Sequence, residues 1–155
     1  MTEIKYFTNL KELDCSSNQL SQLDVSNNTL LTYLDCSSNN LTQLVLNNTQ
    51  LTSLGCGGND LSQLDVSNNT QLMYLNCNDN QLTQLDVSNN TQLTELNCND
   101  NQLTQLDVSN NTQLTDLRCY GNPLEKLILA ASQQYKDWYD SIVEEYPDLD
   151  IIISE

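Results

Sequence analysis

Six cysteines carry the most reactive side chains of the chain: Cys15, Cys36, Cys56, Cys77, Cys98 and Cys119, spaced by 21, 20, 21, 21 and 21 residues. Thiols at regular spacing can pair as disulfides, hold zinc or act as nucleophiles. Each of these six, however, sits in the frame Leu-x-x-Leu-x-Cys-x-x-Asn-x-Leu, at a position where a core aliphatic would serve equally. The expectation is therefore six buried free thiols. Neighbours stacked about 4.8 Å apart would satisfy the Cα separation of a disulfide, but their side chains would point inward in parallel. A zinc site lacks both a Cys-x-x-Cys pair and any histidine. Cys56, within Gly55-Cys56-Gly57-Gly58, follows the same frame and is expected to point away from any substrate.

Other catalytic constellations find little support. There is no histidine, no Ser or Cys beside a plausible base, and no Gly-rich phosphate loop of a recognised form. No enzymatic activity and no cofactor are expected. The recurring Asp24, Asp65, Asp86 and Asp107 would stand one or two strand spacings from one another, where like charges repel. Two readings stay open for them: a cation relieves the repulsion, or each carboxylate bonds to nearby backbone and hydroxyl groups.

Charge narrows the partners. The chain has 21 Asp and Glu against 5 Lys and Arg, a formal net charge of −16, and no basic residue between Lys11 and Arg118. Nucleic acid and anionic bilayers both demand clustered Lys and Arg, so neither is expected as a partner, whereas a basic partner is compatible. No apolar run reaches the roughly 18 to 20 residues that span a bilayer, and Met-Thr-Glu-Ile-Lys-Tyr-Phe lacks the apolar stretch of a signal peptide. The compartment stays open, a longer exported or cell-surface precursor being compatible with the sequence. The Asn-x-Thr triplets, such as Asn27-Asn28-Thr29, are read as turn chemistry.

The elements that hold these residues follow from the period. A unit of about 21 residues divides into two similar halves, Leu10-x-x-Leu13-x-Cys15-x-x-Asn18 and Leu20-x-x-Leu23-x-Val25-x-x-Asn28, before Leu31 restarts the cycle. Each half alternates inward and outward at the strand period and then turns at an Asn, which predicts two short strands per coil. A single coil cannot bury its own apolar side, so stacking must complete the core. With extended backbone on both sides, weak curvature is expected. The second coil is one residue short and places Val45 where others have Asp, which suggests a tightened turn or local bulge.

The frame resembles the leucine-rich repeat family, matching its pattern at residues 10–20, 31–41, 51–61, 72–82, 93–103 and 114–124, about four fifths of the chain. More narrowly it is similar to the short bacterial class of 21-residue nested repeats, sometimes called IRREKO. The resemblance implies a mainly β, right-handed solenoid with a parallel sheet on one face and a buried asparagine ladder, here Asn18, Asn39, Asn59, Asn80, Asn101 and Asn122. An inward Asn can bond backbone groups at the turn and in the next coil, as apolar residues cannot. A second ladder of Asn28, Asn69, Asn90 and Asn111 is expected at the opposite corner, with Ser132 as its sixth-coil equivalent.

The ends differ from the middle. Residues 1–9 read as an N-terminal partial coil in which Tyr6 and Phe7 help to cover Leu10 and Leu13; residues 10–130 form six repeats; residues 131–155 form a helix and strand cap. Tyr135, Trp138, Tyr139, Ile142, Val143 and Tyr146 recur at helical spacing opposite Asp137, Asp140, Glu144 and Glu145, and Pro147 ends the helix. Leu149 to Ile153 reads as a closing strand that protects the last edge.

Repetition also shows which face varies. The outward residues of the second half barely change, as in Gln63-Asp65-Ser67 and Gln84-Asp86-Ser88, while those of the first strand differ in every coil. In leucine-rich repeats that face is the usual binding surface. The expected partner-binding residues are Tyr33, Asp35, Ser53, Gly55, Tyr74, Asn76, Glu95, Arg118 and Tyr120. Among them Ser53 and Gly55 form a dip between Tyr33 and Tyr74, two strand spacings or about 9.6 Å apart. Two functions remain: a monomeric, non-catalytic module that recognises a protein, or a glycan, through this face; or a structural or engineered repeat scaffold with no dedicated ligand.

Overall fold

An extended Leu-x-Cys triplet sends its first and third side chains to one side and its middle side chain to the other, so stacked triplets bury one column and expose another. The computed structural model describes residues 3–154, with the Tyr135 side chain excepted. Met1, Thr2 and Glu155, which belong to the expected terminal segments, lie outside the described residues, as does the side chain of Tyr135 in the expected helical stripe.

The fold is mainly β. Six strands form one parallel sheet: β1 (Glu12–Asp14), β2 (Tyr33–Asp35), β3 (Ser53–Gly55), β4 (Tyr74–Asn76), β5 (Glu95–Asn97) and, after β6 (Gln105–Asp107), β7 (Asp116–Arg118), in the order β1-β2-β3-β4-β5-β7. A second sheet joins β6 to β8 (Lys126–Ala130) and β9 (Asp150–Ser154), all parallel. The central leucines Leu13, Leu34, Leu54, Leu75, Leu96 and Leu117 and all six cysteines are buried in one continuous core. Each fully buried leucine contributes about 1.5–3 kcal/mol relative to an exposed one, so a coil is held by what the next coil covers.

Among the described residues, two paired strands per coil are realised only in the fifth and sixth coils. Pairing of β6 with β8 sets Asp107 opposite Ile128 and Gln105 opposite Lys126. Among the described residues the second halves of the third and fourth coils form no such ladder, although Asp14 and Asp35 stand directly opposed within the first sheet. Ser67 and Ser88 each donate a backbone N–H to the carboxylate two residues back at 2.9 Å, as Ser109 does in the paired fifth coil.

Two asparagine ladders tie the corners. Asn39 donates to the Cys36 carbonyl of its own coil and the Cys15 carbonyl of the preceding coil, both at 3.0 Å, and accepts the Leu20 N–H at 2.9 Å. Asn59, Asn80, Asn101 and Asn122 repeat this pattern. Asn18 departs from the expected buried ladder: it is exposed and donates only to Cys15 and Ser16 of its own coil, because among the described residues no coil stacks N-terminal to that corner.

The second ladder is longer than the sequence suggested. Asn28, Asn48, Asn69, Asn90 and Asn111 are all fully buried, and Asn48 donates to Val25 and Asn28 carbonyls at 3.1 and 2.7 Å. The short coil loses its residue between Leu46 and Asn48, so the turn contracts while the ladder stays in step; Val45 is left exposed. In the sixth coil the position belongs to Gln133 and not to exposed Ser132. A row of threonine hydroxyls forms a further ladder, Thr52 donating to the Thr32 carbonyl at 2.9 Å and Thr115 to Thr94 at 3.0 Å.

At the C-terminal end α1 (Asp137–Glu145) packs on β7, burying Trp138 and Ile142, and β9 covers the outer edge of β8. At the other end lies a single 3-10 turn, Ile4–Tyr6; the carbonyls of Ile4 and of Phe7, which follows it, accept from Asn28, and the Tyr6 and Phe7 side chains are 74% and 60% exposed. The expected cover of Leu10 and Leu13 by these rings is thus not formed. Half-buried Ile4 packs against the core in their place.

Candidate functional site

The first-strand face is a grid fixed by strand register. Glu12, Tyr33, Ser53, Tyr74, Glu95 and Asp116 form one row, and Asp14, Asp35, Gly55, Asn76, Asn97 and Arg118 the next. Tyr33 and Tyr74 therefore flank Ser53 as direct neighbours, each somewhat over a third exposed.

The dip expected between the tyrosines is a hollow of about 230 Å³ lined by Tyr33, Asp35, Ser37, Ser53, Gly55, Tyr74 and Asn76. Six of the nine expected site residues meet there. Ser37 is the addition; it lies one pleat beyond Asp35, and the alternation of Tyr33, Asp35 and Ser37 on one face was the signal for it. The floor depends on glycine, since a Cβ at residue 55 would stand 3.0 Å from Asp35 Oδ1. Asp35 Oδ1 accepts the Ser37 N–H at 2.9 Å. The Tyr33 phenol is pushed above its ordinary pKa, first by desolvation and then by the field of Asp35, Asp14, Tyr74 and Glu12.

Glu95 and Arg118 fall in a smaller adjoining hollow of about 60 Å³ that shares Tyr74 and adds Asn97 and Asp116. Arg118 forks onto Asp116 through Nη2 and Nε at 2.7 and 3.2 Å. Tyr120 lines neither hollow; it is half-buried, its backbone N–H donated to Asn99 Oδ1 at 2.8 Å.

A larger hollow of about 390 Å³ lies elsewhere, between the second halves of the third and fourth coils. It is lined by repeated residues, Ser62-Gln63-Leu64-Asp65 facing Thr83-Gln84 and Asp86, at the place where those backbones are not joined by a ladder. The carboxylates here have local partners: hydrogen bonds from the Ser67 and Ser88 hydroxyls and N–H groups hold Asp65 and Asp86 below the usual carboxylate range. Among the described residues no three His, Cys, Asp or Glu side chains converge as metal ligands.

None of the thiols lines the hollows described above. All six are free and buried, and desolvation is the largest cause raising each of them, Cys15 to about 11 and Cys36 and Cys119 to about 12. Thiols so protonated are poor nucleophiles and poor ligands. Among the described residues no helix is long and apolar enough to cross a membrane.

Comparison with known proteins agrees with this architecture. The chain is 38% identical to the functional domain of InlJ from Listeria monocytogenes, which includes a cysteine ladder; the match covers 83% of this chain and 36% of that one, with a TM-score of 0.61. The leucine-rich-repeat protein LIC12759 of Leptospira interrogans is 26% identical over 96% of this chain and 38% of its own, with a TM-score of 0.74. The internalin InlF of Listeria monocytogenes is 24% identical over 98% of this chain and 45% of its own, again with a TM-score of 0.74. The chain thus spans less than half the length of each of these structures. Residues 71–100 also match the LVIVD repeat family, and no curated protein matches the chain. The fold is a leucine-rich-repeat solenoid with parallel strands, asparagine ladders and one C-terminal helix.

Proposed function

We propose that this chain is a non-catalytic recognition module of the 21-residue nested leucine-rich class, binding a protein partner through the first-strand face. Residues 10–130 form the binding unit in this reading, with the segments before and after serving as its ends. One observation carries it: Tyr33 and Tyr74 stand in register over a floor of Ser53 and Gly55 on the face whose residues change most from coil to coil. Tyrosines on a rigid backbone bury large amphipathic area and lose little entropy, so a few can anchor an interface. Glu95, Arg118 and Tyr120 lie farther along the same face as its polar flank.

The experiment is selection of phage-displayed protein fragments on the immobilised full chain, with each selected binder measured against wild type and the Tyr33→Ala/Tyr74→Ala variant by biolayer interferometry. At least about tenfold weakening is expected. Unchanged affinity rejects the reading. Near-identity of the second halves, Gln-Leu-Asp-Val-Ser-Asn-Asn-Thr in four of the coils, favours a rival in which the array is a scaffold without a ligand. A selection that yields no binder, with a silent glycan array, supports that rival.

A further inference from the structure

The slot between the tyrosines has a charge of its own. Within their row the two tyrosines are flanked by carboxylates, Glu12 beside Tyr33 and Glu95 beside Tyr74, and Asp35 stands beside the floor. Among the described residues Asp35 uses only Oδ1 in hydrogen bonding, which leaves Oδ2 for an incoming donor. The one cation on this face, Arg118, is held by both oxygens of Asp116. An anionic occupant would meet repulsion from every side, and an apolar one would desolvate the Asp35 carboxylate without pairing it. A cation lying against tyrosine faces is attracted by both rings and by the carboxylate. The hollow, about 230 Å³, has room for one long side chain.

We propose that the slot between Tyr33 and Tyr74 takes an arginine or lysine side chain of a protein partner, with Asp35 as its counter-ion and the Gly55 floor giving it depth. This rests on the reading of the first-strand face as a protein-binding surface. Gly55 matters because a side chain there would meet Asp35 and fill the floor. Asp35 can be neutralised without loss of its turn, since Asn76 and Asn97 occupy the same position in later coils and accept the equivalent N–H at 3.2 and 3.1 Å.

The test titrates the 15N-labelled full chain at low salt with acetyl-Gly-Arg-Gly-amide, its lysine counterpart, and the neutral citrulline analogue, following backbone amide shifts by NMR. The Arg or Lys peptide should give saturable shifts centred on Ser53, Leu54 and Gly55, and citrulline should bind at least about threefold more weakly. Asp35→Asn and Gly55→Ala should each weaken the cationic peptide by a similar factor, while Asp86→Asn, on the other face, should not. Equal binding of citrulline, indifference to Asp35→Asn, shifts as large at Asp86 as at Gly55, or no shift at Gly55 would each overturn the assignment. Those results would leave the broader reading standing if selected protein fragments still required Tyr33 and Tyr74; fragments indifferent to the tyrosines would remove both.

Discussion

Gln133 donates from Nε2 to the Asn111 carbonyl at 3.0 Å, the contact that Asn111 itself makes one coil earlier with the Asn90 carbonyl at 2.8 Å. A residue of a different type thus closes the second ladder. Like Asn111 with the Val87 carbonyl, it also donates to the Val108 carbonyl, at 3.1 Å, and its Oε1 accepts the Ala130 N–H at 2.7 Å. Gln133→Ala would leave these buried groups short of partners, and each such orphan costs about 1–3 kcal/mol. Urea denaturation should show a loss of at least about 2 kcal/mol, against less than about 0.5 kcal/mol for the exposed Ser132→Ala. Equal effects at the two positions would mean that the closure is elsewhere.

The first ladder predicts a contrast between its edge and its middle. Asn101 bonds the Cys98 and Cys77 carbonyls and accepts the Leu82 N–H, all in the interior, whereas Asn18 is exposed and bonds only its own coil. Asn101→Ala should lower the unfolding free energy by about 2–4 kcal/mol, and Asn18→Ala by less than about 1 kcal/mol. Chemical denaturation of the pair reads the difference directly.

How far the sequence reached can be judged from these same residues. Periodicity identified the parallel first strands, the inward cysteines and four of the five second-ladder asparagines, because each depends on alternation alone. It passed over Asn48, since the missing residue shifts the count by one, and it named Ser132 where Gln133 serves, since a side chain one methylene longer can fill a ladder position from a displaced backbone. Pairing in the second half was overestimated because alternation fixes which side chains point inward and not whether the backbones of neighbouring coils exchange hydrogen bonds. Tyr6 and Phe7 were expected to cover the core on hydrophobicity alone; the carbonyls of Ile4 and Phe7 accept from Asn28, and both rings are exposed. In the candidate site the tyrosine slot was visible as a row comparison, whereas the separation of Tyr120 from it depends on its position in the turn after β7.

The buried thiols make stability sensitive to alkaline pH. Each is raised by desolvation, to about 11 for Cys15 and about 12 for Cys36 and Cys119, with Cys56, Cys77 and Cys98 raised well above the ordinary value. Between the unfolded pKa near 9 and these folded values the native state holds protons that the unfolded chain releases. Stability is therefore fully present below about pH 8.5 and falls as pH rises, by about 1.4 kcal/mol per pH unit for each thiol that ionises only on unfolding. Urea midpoints at pH 8 and pH 10 should differ accordingly, and a Cys77→Val variant should show a shallower slope. Ellman's reagent at pH 8 should leave the native thiols unmodified for as long as the chain stays folded.

Met73 interrupts the threonine row. Thr52 donates its hydroxyl to the Thr32 carbonyl at 2.9 Å and Thr94 to the Met73 carbonyl at 2.9 Å, but position 73 has no hydroxyl to offer the Thr52 carbonyl, and its side chain is 51% exposed. Met73→Thr supplies the missing donor on a backbone already in register, where the Met73 N–H bonds the same carbonyl at 2.9 Å. A gain of about 0.5–1 kcal/mol in unfolding free energy is expected, the usual net worth of one partly exposed hydrogen bond. A loss of stability in thermal and urea melts would show instead that the Met73 side chain covers apolar surface worth more than the added hydroxyl.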